Sequence, residues 1–168
     1  MSSPIPGRGR IGTPRRVNNR LVEGHGMDEA AKKLYRRWLS ELWAGDHDVA
    51  AELVSEDFAI HHGEIRPGTE RELVGPTGLV KLVELGRQPF DELRFTLAVG
   101  PIVEGDLLSA RWIGNGTYTG GVAGATAVPG TEVEFAGNDI LRFRDGRFVA
   151  YWVCSDGPWL MKQLGVDG

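Results

Sequence analysis

The stretch "GNDILRFRDGRFVAYWVCSD", Gly137–Asp156, reads as two strands joined by a tight Asp145-Gly146 turn. Asp-Gly between runs of β-favouring residues is a strong short-range hairpin signal. Side chains alternate across a strand with period two. Extended back to Glu132, the first strand puts Val133, Phe135, Gly137, Asp139, Leu141 and Phe143 on one face. Glu132, Glu134, Ala136, Asn138, Ile140, Arg142 and Arg144 take the other. The first set is the inner face, and Asp139 is its only charge unless a bulge near Gly137 shifts the phase. A carboxylate so placed costs several kcal/mol, roughly, unless it is paired, hydrogen-bonded or protonated.

Arg111, on the preceding strand, is the expected partner, provided that Leu107, Ser109, Arg111 and Ile113 face inward. Such a pair either stiffens the sheet or forms an acid–base group or anion clamp in a pocket. The second strand of the hairpin is apolar on both faces, with Val149, Tyr151 and Val153 on one and Phe148, Ala150, Trp152 and Cys154 on the other. A strand covered twice needs an apolar layer behind it. A second copy of the chain supplies one most simply, so the pattern predicts a homodimer through the sheet, with Trp112 and Trp152 on its outer face.

Outward from the hairpin the same period continues. In "LRFTLAV", Leu93, Phe95, Leu97 and Val99 alternate with polar or small residues, and "DLLSARWIGNGTYTG" is a further strand. The N-terminal half has helical spacing instead. Asp28 is a candidate N-cap for a helix with Ala31, Leu34, Tyr35, Trp38 and Leu42 on one face, ended by Gly45. "DHDVAAELVSEDF" predicts a second helix, "FAIHHG" a short strand, and Gly75-Pro76 opens a third helix that Gly86 closes. "PWLMKQLG" predicts a short last helix that Asp156 can cap. Helices followed by a run of strands mean an α+β domain with an antiparallel meander packed on helices. Gly114–Gly130 is either a long hairpin tip or a lid over a pocket mouth.

Composition narrows the function classes. The 168 residues are 41% hydrophobic and 25% charged, as in an ordinary globular domain. No apolar run approaches the roughly 20 residues that span a bilayer, and the N-terminus lacks the apolar core of a secretory signal. The single cysteine, Cys154, fits a reducing cytoplasm. Residues 1–26 carry five arginines against one glutamate, leaving the remaining chain acidic within a net charge of −4. Nucleic acid is therefore a poor partner. The expected division is a disordered basic tail over 1–26, with Met27 a natural start, and one domain over 27–168. The tail's Gly7-Arg8-Gly9-Arg10-Ile11-Gly12 has G-x-G-x-x-G spacing without the strand and helix that a dinucleotide site needs.

The order of these segments resembles the SnoaL-like, polyketide cyclase-like family of the nuclear transport factor 2-like cone fold. The resemblance is carried by "LWAGDHDVAAELVSEDFAIHHG", "GPTGLVKLVELGRQPFDELRFTL", "ARWIGNGTYTG" and "GNDILRFRDGRFVAYWVCSD" followed by "LMKQLG". It implies about three N-terminal helices roofing a curved antiparallel sheet, with a deep pocket between them. It implies ring closure by aldol chemistry, or isomerisation, on a hydrophobic carbonyl compound without metal or cofactor. The family's acid–base aspartate falls on Val153, which transfers no proton, and a polar pocket residue of the preceding strand falls near Asp139. The Asp-Arg-Asp set of the related epoxide hydrolases falls on Ile113, Arg111 and Val153, so two of its three members are missing.

The expected catalytic group is thus Asp139 as base, with Arg111, His61 or Tyr151 stabilising the oxyanion. His61 alternatively caps a strand end with a hydrogen bond. Tyr151, Val153, Ile113, Trp38, Phe135 and Leu141 are the expected lining of the pocket. His61-His62 lacks metal-ligand spacing, and no metal or cofactor is expected. A non-catalytic carrier of a hydrophobic ligand is the alternative, with Asp139 and Arg111 then purely structural.

Overall fold

The computed structural model describes residues 19–62 and 73–166; the side chains of residues 19–25 and of His62 lie outside that description, as do the Gly7–Gly12 spacing and most of the basic tail. Helix α1 spans Asn19–Arg37 and runs on into a π-helical turn, Trp38–Leu42. It begins upstream of Asp28, so Asp28 is an interior residue and not the cap, and residues 19–26 are helical. Tyr35, Trp38 and Leu42 are fully buried, the apolar stripe the spacing predicts.

A short 3-10 turn, His47–Val49, leads into α2, Ala50–Leu53. The second helix is shorter than expected, because Val54–His62 is already strand β1. In that segment Val54, Phe58 and Ile60 are buried, and β1 pairs in parallel with the last strand. Helix α3, Gly75–Arg87, starts where Gly75 holds φ +66° with its Cα against the Glu56 carbonyl. A Cβ there would lie 2.7 Å from that oxygen, so only glycine brings α3 this close to β1.

Strands β2 (Phe90–Glu104), β3 (Leu107–Tyr118), β4 (Glu132–Arg144) and β5 (Arg147–Ser155) follow, then helix α4, Gly157–Gln163. The sheet order is β1-β5-β4-β3-β2, antiparallel except for the β1–β5 pair. The helices cover one face, and the main core lies between them and the sheet around Trp38, Leu53, Phe58, Leu79, Leu108, Leu141, Phe148 and Tyr151.

Three phase changes separate this sheet from the expected one. In β3 it is Leu108, Ala110 and Trp112 that are buried, while Arg111 is exposed. Their set is the more apolar of the two alternating sets, and burial follows it. In β5 the ladder shifts at Val149, so Phe148 pairs with Phe143 and Tyr151 with Leu141, and both aromatic rings point inward. In β2 a shift after Leu97 turns Val99 to the outer face opposite Arg111, leaving Val99 55% exposed. At Gly137, where a bulge was conceivable, β4 pairs with β3 in unbroken register.

The glycine-rich segment is a long hairpin connection between β3 and β4, closed by bonds between Tyr118 and both Gly130 and Thr131, and its tip is tied down. Thr126 and Ala127 donate their N–H groups to the Leu164 carbonyl, each at 3.0 Å, and none of the segment's loop residues lines the main cavity. It buttresses α4 through a second cluster formed by Phe90, Leu93, Tyr118, Val133 and Leu164.

Candidate active site

A cavity of about 310 Å³ opens between the helices and the inner face of the sheet. Its sheet wall is aromatic, with Phe95, Trp112 and Phe135 meeting edge to face at centroid distances of 5.1 to 6.0 Å. Leu39, Leu82, Leu85 and Leu160 supply an aliphatic roof. Trp43, at the end of the π-helical turn, leans on Phe95 at 5.1 Å and joins the two walls. The half-buried Arg87 guanidinium fastens that junction. It donates to the backbone carbonyls of Trp43 and, at 2.8 Å, of Leu93.

Asp139 lies at the polar end of this cavity and is 1% exposed. Three side chains from three different elements donate to it. Tyr35 Oη of α1 reaches Oδ2, while Trp112 Nε1 of β3 and Tyr151 Oη of β5 reach Oδ1, each at 2.9 Å. Burial pushes the Asp139 carboxyl up to about 6, and the bonds from Trp112, Tyr35 and Tyr151, with the nearby Trp38, hold it from rising further. The same burial and the neighbouring carboxylate push both phenols well above the ordinary tyrosine range.

Trp112 reaches Asp139 because Gly137 stands opposite it in the β3–β4 register. A Cβ on residue 137 would fall 2.2 Å from the Trp112 ring. The indole lies across the bare glycine and extends to the carboxylate two residues along the same face. An inward glycine two residues before an inward acid was the sequence signal for this neighbour. Tyr35 was visible only as one member of an apolar helical stripe.

The expected partners of Asp139 are elsewhere. Arg111 pairs in register with Asn138, not Asp139, and points to the outer face, so the Arg111–Asp139 ion pair does not form. His61 is exposed on the same outer face and stacks on Trp152 at 4.8 Å with a 10° angle between the rings. Ile113 pairs with Ala136 and also faces outward. Trp38 and Leu141 are fully buried in the core behind the cavity rather than in its lining. Tyr151, Val153 and Phe135 do line it. Val153 stands directly across the β4–β5 ladder from Asp139. Asp156 accepts from Trp159 N at 3.2 Å and caps α4. Cys154 is exposed. No cluster of metal-ligating side chains occurs among the described residues, and none of the described helices is long and apolar enough to cross a membrane.

A five-stranded curved sheet roofed by helices over an apolar cavity, with one carboxylate at its end, defines a class of small pocket domains. The family model of the SnoaL-like polyketide cyclases matches residues 33–164, and the chain belongs to that family. A candidate polyketide cyclase from Acidithiobacillus ferrooxidans superposes with a TM-score of 0.71 at 20% identity, over 81% of this chain and 94% of that one. A SnoaL-like candidate cyclase from Jannaschia sp. CCS1 gives 0.71 at 16% identity, over 95% of this chain and 100% of its own. IdmH, a candidate polyketide cyclase from Streptomyces antibioticus, gives 0.68 at 26% identity, over 81% and 99%. No curated protein matches the chain.

Proposed function

We propose that the chain is a cofactor-independent acid–base enzyme that closes or isomerises a hydrophobic carbonyl substrate, with Asp139 as its base. The observation that carries this reading is a buried carboxylate, held by neutral donors, at the end of an apolar cavity, where burial pushes its pKa up to about 6. A base is most effective when its pKa lies near the working pH, and burial with no cationic partner among the described residues supplies that. With Arg111 on the other face, only neutral donors among the described residues, Trp112, Tyr35 and Tyr151 with Trp38, work against the rise that burial imposes.

In this mechanism Asp139 takes the proton from a carbon beside the substrate carbonyl. Of the three groups expected to stabilise the oxyanion, only Tyr151 faces the cavity. Its hydroxyl donates to Oδ1 while Asp139 is charged. Once Asp139 is neutral, that donor is free to serve the enolate oxygen. In the resemblance to the cyclases the acid–base aspartate falls on Val153. Cross-strand partners are about 5 Å apart at Cβ, so a carboxylate on Asp139 serves the same end of the cavity from the neighbouring strand.

The test is Asp139→Asn, which keeps size and polarity. We expect a folded protein that binds substrate and loses turnover by about 10²- to 10⁴-fold. Unchanged turnover sinks the proposal. A second reading, a non-catalytic carrier, is favoured by the 1% exposure of Asp139 and its three donors, an arrangement that also suits a purely structural carboxylate. For a carrier, Asp139→Asn leaves no turnover to lose, and ligand affinity falls only as far as stability does.

The protein is further proposed to be a homodimer through the outer face of the sheet. Val99, Ile102, Leu107 and Ile140 are 55%, 63%, 36% and 43% exposed there, around the half-buried Ile113 and Trp152. Exposed apolar surface in one patch is what a partner subunit covers.

A further inference from the structure

We propose that Trp38 is a positioning residue for Asp139: its indole N–H is a fourth donor that closes on the carboxylate when Asp139 is charged and draws back when it is protonated. Trp38 Nε1 is the one buried side-chain polar atom without a hydrogen-bond partner among the described residues. A buried donor left unmade costs about 1–3 kcal/mol, so its neighbourhood must offer something in return. The neighbourhood is the carboxylate cluster. The Trp38 ring meets the Tyr151 ring edge on at 5.0 Å, and the Tyr151 hydroxyl is bonded to Asp139.

The carboxylate has capacity for another donor. Among the described residues Oδ1 accepts two bonds, from Trp112 and Tyr151, whereas Oδ2 accepts only that of Tyr35. Each carboxylate oxygen offers two lone-pair sites. Trp38 also contributes, with the three bonded donors, to holding the Asp139 carboxyl down against burial.

The backbone at Trp38 departs from the α-helical ladder. Trp38 opens the π-helical turn, and its carbonyl accepts from Trp43 N at 3.1 Å, five residues on. Such turns carry one residue more than an α-helical turn and recur at functional sites. Among the described residues no charged side chain shifts Asp139; the titratable groups facing it are Tyr35 from α1 and Tyr151 from β5, and the remaining donor, Trp112 from β3, does not ionise. Proton uptake by Asp139 is therefore the event that changes the acceptor seen by Trp38. This coupling holds for an enzyme and for a carrier alike.

The experiment is NMR titration of the Asp139 carboxyl carbon and the Trp38 indole N–H, in the wild-type chain and in the Trp38→Phe and Asp139→Asn variants. In the wild type the Trp38 indole proton moves downfield as pH rises, with the same midpoint as Asp139. That movement disappears in Asp139→Asn. In Trp38→Phe the Asp139 midpoint moves upward by about one pH unit, as expected for a lost donor to a charged acceptor. An indole signal that ignores pH, or one that still titrates in Asp139→Asn, overturns the proposal, and so does an unmoved midpoint in Trp38→Phe. Should Trp38→Phe fail to fold, the indole titration in the other two proteins decides alone.

Discussion

Asp139 shows how a buried charge is tolerated with no counter-ion among the described residues. Its three donors are two phenols and an indole, all neutral, so they soften the cost of burial without cancelling it. The folded-state pKa, about 6, is above the ordinary 3.8. Protonation thus favours the folded state. The contribution is fully present below about pH 4 and is lost as pH rises through about 6. The difference between the two values corresponds to about 3 kcal/mol. We expect the stability of the wild type relative to Asp139→Asn to fall by about that amount between about pH 4 and about pH 8, measured by urea unfolding at each pH. A pH-independent difference means the carboxyl is not displaced by burial. Asp139 itself was legible in the sequence, because a lone charge on an apolar strand face is an anomaly that periodicity exposes. Its partners were not. An acid suggests an arginine, and Arg111 was the nearest one in the preceding strand, but pairing depends on which of two faces that strand presents.

That choice belongs to β3 as a whole. Leu108, Ala110 and Trp112 go inward because their combined apolar surface exceeds that of the alternative set, and a shift of one residue would carry every side chain of the strand with it. Trp112 then needs space on β4, and Gly137 provides it. Gly137→Ala is expected to push the indole off its position, cost about 1–3 kcal/mol and sharply reduce turnover, with Asp139 intact. Thermal unfolding and kinetics on the same sample check this; a variant with wild-type stability and turnover removes Trp112 from the site. The π-helical turn matters in the same way, since Trp38, Leu39 and Trp43 reach the carboxylate cluster and the cavity from one short segment. Helical spacing predicted the buried stripe through Leu42 but not the extra residue in its last turn.

Taken whole, the domain has two unlike sheet faces. The inner one is covered by helices and carries the cavity, while the outer one leaves Val99, Ile102, Leu107 and Ile140 in contact with solvent. The expected tryptophan pair on that outer face is reduced to Trp152, which is stacked on His61 with Arg142 5.6 Å above its ring. If two copies meet there, Ile140→Lys places like charges against each other at the centre of the contact. We expect sedimentation to show a dimer for the wild type and a monomer for this variant, with the Asp139 titration unaltered. A wild-type monomer at tens of micromolar would discard the dimer.

Periodicity, turn residues and the order of segments carried the α+β class, the meander, the hairpin around Asp145-Gly146 and the inward place of Asp139. Those properties depend on local pattern, and local pattern survives folding when each element buries its most apolar side. The phase of β3, the shift in β5 and the meeting of Tyr35, Trp112 and Tyr151 on one carboxylate were decided by assembly. They join residues up to 104 positions apart. Each also turns on which of two nearly equivalent faces packs against the helices, and that is settled only when all the strands compete for the same core.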